Sequence, residues 1–454
     1  MPAQSELNVI YLHSHDTGRH VQPYGYAVST PNIQRLAEEG VLFRQAFTAA
    51  PTCSPSRAAL LTGQSPHNAG MIGLAHRGFQ LKDPAQHLAH TLRSSGYETV
   101  LAGVQHVTTD DPRTLGYDRV LDPVDKQAAN VAPGAADYLQ SLASDRAQPF
   151  FLDVGFFEAH RPFPPVESED SRYLRPPAPI PDTPEARIDM ARFHASLKEL
   201  DRGVGIVLEA LDDAGLADST LVICTTDHGP PYPAMKCNLT DHGTGVMLIM
   251  RGPDEFSGGL VVDALVSHID IFPTICELIG ILDPPWLQGG SMAPLVTGEM
   301  DEIRDSVFGE VTFHAAYEPQ RSIRTKRWTY IRRFGDRREP VLPNCDGGES
   351  RDLWLDHGWE HVAQDSEQLY DNVLDPNQFR NMINDPSLEP VREDLSQQLD
   401  QWMRETSDPL LAGSVPLPPG ATMNDASGRS PDEDLMIADA EGNQSWIPNP
   451  GINA

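Results

Sequence analysis

AAPTCSPSRAALLTG, residues 49–63, sets a cysteine directly ahead of Ser-Pro-Ser-Arg. Pro55 suits the first turn of a helix, Ala58 to Leu61 propagate it and Gly63 can end it. A helix that starts there aims unpaired N–H groups and a positive dipole end at Cys53. Such a place lowers a thiol pKa and attracts an anion, with Arg57 one turn in to hold whatever sits on residue 53. A buried cysteine is more often a small hydrophobe, but the Ser-Pro-Ser-Arg that follows argues against that role here.

On either side of this stretch the chain alternates short apolar, β-branched runs with helical patterns. That alternation predicts an α/β fold, a large mostly parallel sheet flanked by helices. Strands are expected at NVIYL (8–12), ETVLAG (98–103), PFFLDVGF (149–156) and STLVICTT (219–226). Thr30 as N-cap, Pro31 at the first position and Gly40 past the end bound one helix. The long pattern of 185–216 and SHIDIFPTICELIG (267–280) give two more.

Near Met300 the composition shifts toward Arg, Trp and Tyr in strand-like pieces such as SIRTKRWTYIRRF, followed by a helix around VREDLSQQLDQWMRE. The division expected is a catalytic domain over 1–300, a small α+β domain over 301–411, and an extended arm or tail over 412–454, rich in Pro, Gly, Asn and Asp.

The 454 residues carry a formal charge of -31, which argues against nucleic acid and anionic membranes as partners. No run approaches the roughly 18 apolar residues of a membrane span. The opening MPAQSELNVIYL has neither a basic leader nor a small-residue cleavage site, so a cytoplasmic location is the default expectation. Five scattered cysteines, an odd number, give no disulfide framework.

In open α/β sheets ligands sit beyond the carboxyl ends of the strands. Four expected strand ends carry ligand or acid-base residues: His13, His15, Asp16, Arg19 and His20 after the first, His106 after the second, Glu158, His160 and Arg161 after the third, and Asp227 and His228 after the fourth. One strand-end histidine is usually a loop residue making a hydrogen bond; four furnished ends point to a shared site. His15, Asp16, Asp227 and His228 form an O/N donor set suited to a divalent cation, and no CxxC pair marks a thiolate zinc site.

Cys53, Pro55, Ser56, Arg57, Leu61, Thr62 and Gly63 match the signature Cys-x-Pro-Ser-Arg with trailing Leu-Thr-Gly, and in them the chain resembles the type I sulfatases of the alkaline phosphatase superfamily. The resemblance extends over nearly the whole chain, to TPNIQRLAEEGVLFRQAFTAA and LYDNVLDPNQFRNM. Within the family it is most similar to the heparan N-sulfatases, or sulfamidases, in the segment from Gly203 to Leu239 and in WMRETSDP.

The resemblance implies that Cys53 is oxidised to formylglycine, whose hydrate is the nucleophile, with a formylglycine-generating enzyme as maturation partner. It implies Asp16, Asp227 and His228 as metal ligands, His15 in the place of a first Asp, and Cys53 reaching the metal through its modified oxygen. Arg57 would hold the formylglycine, and His106, His160 and Lys236 would hold the sulfuryl oxygens or serve the leaving group. Calcium is the metal implied, and a homodimer the assembly.

Three positions depart from the family pattern. His15-Asp16 stands for Asp-Asp and Asp227-His228 for Asp-Asn, so nitrogen replaces oxygen and manganese or zinc gains ground over calcium. Gly103-Val104-Gln105-His106 stands for Gly-Lys-x-His, so a lysine is missing, and Arg19 is the candidate to supply its charge to substrate. With no basic stripe and a charge of -31, a small sulfamate or sulfate ester suits the chain better than a sulfated polymer. Two other readings stand beside this one: a phosphodiester or phosphonate monoester hydrolase of the same superfamily, suggested by TDHG, and a non-catalytic binding protein on a sulfatase fold.

Overall fold

The computed structural model describes residues 7–142, 148–449 and 451. The first six residues, where a leader was sought, and the last three, where the expected tail ends, lie outside the described residues. Eight strands make the main sheet: β1 (Asn8–Ser14), β2 (Val41–Phe47), β3 (Glu98–Gly103), β4 (Arg119–Leu121), β5 (Phe150–Gly155), β6 (Thr220–Thr226), β7 (Leu248–Arg251) and β8 (Leu260–Ser267). Their order is β4-β3-β5-β1-β6-β7-β2-β8, parallel throughout except for β7, which runs antiparallel to both neighbours.

The central strands are apolar on both faces, as a sheet covered by helices on both sides requires. Along β1, Val9 and Tyr11 join one core while Ile10 and Leu12 join the other. Leu221 and Ile223 of β6 divide from Val222 and Cys224 in the same way. The 30-residue helix Pro184–Asp213, capped by Thr183 accepting from the Ala186 N–H, closes one face. The helix Ile271–Ile279 packs in the opposite core.

A second sheet of four antiparallel strands, β9 (Ser306–Phe313), β10 (Tyr317–Thr325), β11 (Trp328–Arg333) and β12 (Glu367–Asp371), packs on the helix Glu389–Glu405 through Ile323, Tyr330, Leu395, Leu399 and Met403. The fully buried Arg321 of β10 binds Asp408 through Nε (2.5 Å) and Nη2 (3.0 Å), pinning the segment that follows the helix. Within 412–454, expected as an extended arm, the chain folds into a three-stranded antiparallel sheet: β13 (Thr422–Asn424), β14 (Leu435–Ala438) and β15 (Gln444–Ile447). Among the described residues no helix is long and apolar enough to cross a membrane.

Candidate active site

β3, β5, β1 and β6 lie side by side in that order, so His106, His160, His15-Asp16 and Asp227-His228 leave adjacent strand ends along one edge. Cys53 arrives from beyond β7, as the first residue of the helix Cys53–Thr62 that follows β2. Every residue of that helix is buried. Its Ser56 hydroxyl donates to the Asp227 carbonyl at 2.6 Å and bonds Thr48 Oγ1 at 2.7 Å, which fixes the helix end against the sheet edge.

Cys53 Sγ lies 3.3 Å from His228 Nε2. His228 Nδ1 must carry a proton, because its partner 2.9 Å away is the Gly229 carbonyl, which only accepts. The other ring nitrogen, Nε2, faces Cys53 and Asp16 Oδ1, the latter at 3.3 Å. His15 Nδ1 stands 3.3 Å from Asp227 Oδ2, and the Asp16 N–H donates to Asp227 Oδ1 at 2.8 Å.

Donor atoms of His15, Asp16, Cys53 and Asp227 all lie within 4.8 Å of one another, and all four residues are buried. Asp16 Oδ1 and both ring nitrogens of His15 lack hydrogen-bond partners. Buried acceptors without donors are costly unless something else satisfies them. Two carboxylates, the His15 imidazole and the Nε2 of His228 gathered around these atoms fit a divalent cation, and the mixed donor set suits a borderline transition metal. Burial, then the charge of Arg57, pushes the His15 pKa well below its ordinary value, so the ring stays uncharged. For Asp227 burial alone would raise the pKa, but His228, Arg57 and His15 outweigh it and hold the carboxylate well below its usual range.

Lys236, in the loop after β6, places Nζ 3.1 Å from Asp16 Oδ2 and 2.8 Å from Asp346 Oδ2. Burial opposes its charge, yet the two carboxylates prevail and hold the ammonium pKa well above the lysine range. Arg57 Nη2 donates to Ser14 O (2.8 Å) and Asp227 Oδ2 (3.0 Å). His106 Nε2 bonds His76 Nδ1 at 3.2 Å, the two rings stacked with centroids 5.5 Å apart, and its pKa is driven well down by burial and then by His76 and Arg57. His160 meets His15 edge to face at 5.5 Å and donates from Nδ1 to the Arg161 carbonyl at 2.6 Å. Asp16 (φ 51°), His106 (φ 54°), Ala234 (φ 59°) and Cys237 (φ 64°) hold left-handed backbone around this centre, a conformation that costs energy outside glycine and collects at functional sites.

Two expectations are corrected by this geometry. The Cys53 thiol does not become acidic at its helix end: burial raises its pKa well above the ordinary value, and Asp16 and Asp227 offset the pull of Lys236. Arg19 does not turn toward Cys53. It donates to Ala46 O at 2.7 Å and lies 4.5 Å over the Phe47 ring, beside Arg324. The remaining sequence-derived residues, His15, Asp16, Cys53, Arg57, His106, His160, Asp227, His228 and Lys236, converge.

Sequence reasoning missed His76, His314 and Asp346. His314 is buried with Nδ1 unpartnered, and its pKa is pushed well down by burial, then by Lys236. Glu158 turns out to support the backbone, accepting from the Ala128 N–H, and Arg161 pairs with Asp189 at 2.8 Å.

The mostly parallel sheet with a cysteine-headed helix at its carboxyl edge is an alkaline phosphatase-like fold. A phosphonate monoester hydrolase of Agrobacterium radiobacter superposes with a TM-score of 0.67 at 22% identity, over 89% of this chain and 97% of that one. A protein solved with its substrate D-glucosamine-2-N,6-O-disulfate superposes at 0.68 and 16% identity, over 88% and 98%. The sulfatase family model matches residues 7–281, and the C-terminal model of N-sulphoglucosamine sulphohydrolase matches 236–346. The chain belongs to the sulfatase family and is a hydrolase of that family. It is 29% identical to human N-sulphoglucosamine sulphohydrolase, with 89% of this chain and 91% of that protein aligned. It is also 29% identical to an ulvan-active sulfatase of Formosa agariphila (86% and 78%) and 25% identical to a choline-sulfatase of Rhizobium meliloti (78% and 78%).

Proposed function

We propose that the protein is a sulfohydrolase that releases inorganic sulfate from a small sulfamate or sulfate ester, using a formylglycine made from Cys53 and a divalent metal ion. The observation that carries this reading is the meeting of Cys53 Sγ, the Nε2 of His228 and the unpartnered Oδ1 of Asp16 at a buried helix N-terminus. The high thiol pKa suits a cysteine that serves as precursor to an aldehyde rather than as a thiolate nucleophile.

A metal held by His15, Asp16, Asp227 and His228 would supply Lewis acidity, acidifying the nucleophile and drawing charge off the sulfuryl oxygens. The formylglycine hydrate would supply one oxygen for attack on sulfur and a second hydroxyl whose collapse expels sulfate. The chain's own residues do the rest. Lys236 and the helix N–H groups stabilise the sulfuryl oxygens, where preorganised positive charge counts most. Arg57 keeps Asp227 ionised.

His160 is the general acid. Its Nδ1 is committed to the Arg161 carbonyl, so Nε2 is the nitrogen that hands over a proton. His106 fills that role poorly, because burial keeps it neutral and Nε2 is engaged with His76. Protonation matters most for an S–N bond, whose nitrogen leaves badly as an anion.

The test is peptide mass spectrometry across Cys53 followed by turnover of an aryl sulfate, simple sulfamates and a phosphodiester. Aldehyde at residue 53 with sulfate release is expected. Phosphodiester preference, or full activity with an unmodified thiol, would sink the reading, and no activity in metal-loaded, fully converted protein would favour a binding role.

A further inference from the structure

Behind Arg57 lies a row of buried groups that the proposed reaction does not use. Arg57 Nη1 donates to His13 Nδ1, His13 Nε2 stands 2.8 Å from Asp153 Oδ1, and the Tyr117 hydroxyl donates to Asp153 Oδ2. His13, Asp153, Tyr117 and Arg57 are each at most 2% exposed.

The hydrogens in this row have only one arrangement. A guanidinium has donors and no acceptor, so His13 Nδ1 must be bare. The ring proton then sits on Nε2 and points at Asp153, whose second oxygen takes the Tyr117 proton. Asp153, fully buried, thus has a donor on each oxygen and is not an orphaned charge.

Local structure is shaped around the ring. His13 is on β1 opposite Gly155 of β5, and a Cβ added at Gly155 would lie 2.5 Å from His13 Cε1. Tyr11 stacks on the other side, centroids 4.5 Å apart. The imidazole therefore has one seat.

We propose that His13, oriented by Asp153 and Tyr117, is the positioning residue of Arg57. It takes Nη1, so that Nη2 is left to bridge Ser14 O and Asp227 Oδ2 and the guanidinium charge is delivered to the carboxylate at the reactive centre. The inference rests on the reading of Cys53, Arg57 and Asp227 as that centre.

Two substitutions separate the two edges of the ring. His13→Asn keeps an acceptor where Nδ1 stood and gives up the link to Asp153. His13→Gln places its amide near the Nε2 position and presents methylene to Arg57. With 4-nitrophenyl sulfate, at matched formylglycine content and metal occupancy, His13→Gln is expected to lose about tenfold or more in kcat relative to His13→Asn, with KM within about twofold, since a hydrogen bond to a charged group is at stake. A merely structural role lowers both variants alike and in step with Tm, and that outcome overturns the proposal.

Should either variant fail to fold, Tyr117→Phe removes a single hydroxyl from the row. Wild-type kcat in Tyr117→Phe overturns the proposal, and a lowered kcat at unchanged KM supports it. A wild-type enzyme inactive on every sulfate and sulfamate counts against the proposed reaction alone. The side-chain 15N shifts of His13 then decide the positioning role: an unprotonated Nδ1 upholds it and a protonated Nδ1 overturns it.

Discussion

His228 Nε2 faces Cys53 Sγ at 3.3 Å, while its other nitrogen is tied to the Gly229 carbonyl. Together with His15 this gives the centre two nitrogen donors where the family pattern has oxygens. Manganese or zinc is therefore expected to restore chelated enzyme better than calcium. In the double variant His15→Asp/His228→Asn the order is expected to reverse, as read by metal content and reactivation after EDTA treatment. Calcium preference in both proteins would mean that the imidazoles are not ligands.

Lys236 neutralises Asp16 and Asp346 at 3.1 and 2.8 Å and is the cation assigned here to the sulfuryl group. Lys236→Met is expected to lower kcat/KM by roughly 100-fold or more, the range for loss of one preorganised electrostatic group. Asp346→Asn, which leaves the ammonium and Asp16 in place, is expected to cost only about tenfold or less. Equal losses in steady-state assays would make Lys236 a counter-ion and nothing more.

His87 is buried, accepts the Ala89 N–H on Nδ1, and has its pKa pushed down to about 4 by burial. The unfolded chain takes up that proton near the ordinary value of about 6.5 while the folded one does not. Stability is therefore unaffected above about pH 6.5 and falls as pH drops toward 4, by roughly 3 kcal/mol at most for this group. His87→Asn retains an acceptor at the helix cap and cannot titrate. Its urea unfolding is expected to show a shallower loss of stability from pH 6.5 to 4.5 than the wild type, and parallel curves would contradict the assignment.

Arg321 and Asp408 form a fully buried pair. Asp408→Asn leaves an uncompensated guanidinium and is expected to cost about 3–5 kcal/mol, whereas Arg321→Met with Asp408→Asn recovers much of it. Chemical denaturation of the single and double variants measures both. Additive losses would show that the pair contributes packing rather than charge balance.

The sheet and the polar strand ends were legible because β1, β3, β5 and β6 each combine an apolar run with an abrupt polar end. β2, β4, β7 and β8 went unread: VLFRQAF starts directly after the helix end at Gly40, and RVL and LIMR are only three and four residues long. His76 comes from a single 3-10 turn and His314 and Asp346 from loops, none with local periodicity, and only tertiary folding brings them to Lys236 and His106. Arg19 was misjudged from its nearness to Asp16 in sequence. Gly18 takes a left-handed φ of 59°, a Cβ added there would lie 2.7 Å from Pro230 Cδ, and the chain turns so that Arg19 goes to Ala46 and Phe47. The Cys53 thiol was misjudged because a helix dipole is weaker than complete desolvation beside two carboxylates.

The row β3-β5-β1-β6 has a consequence for how such a centre can change. Each strand end contributes its own one or two polar residues, and the apolar runs beneath them carry the folding. Position 15 itself packs in neither core, which along β1 is built from Val9 and Tyr11 on one face and Ile10 and Leu12 on the other. The edge is like a keyboard of four keys, each a polar end set on an apolar frame that does not depend on it for packing.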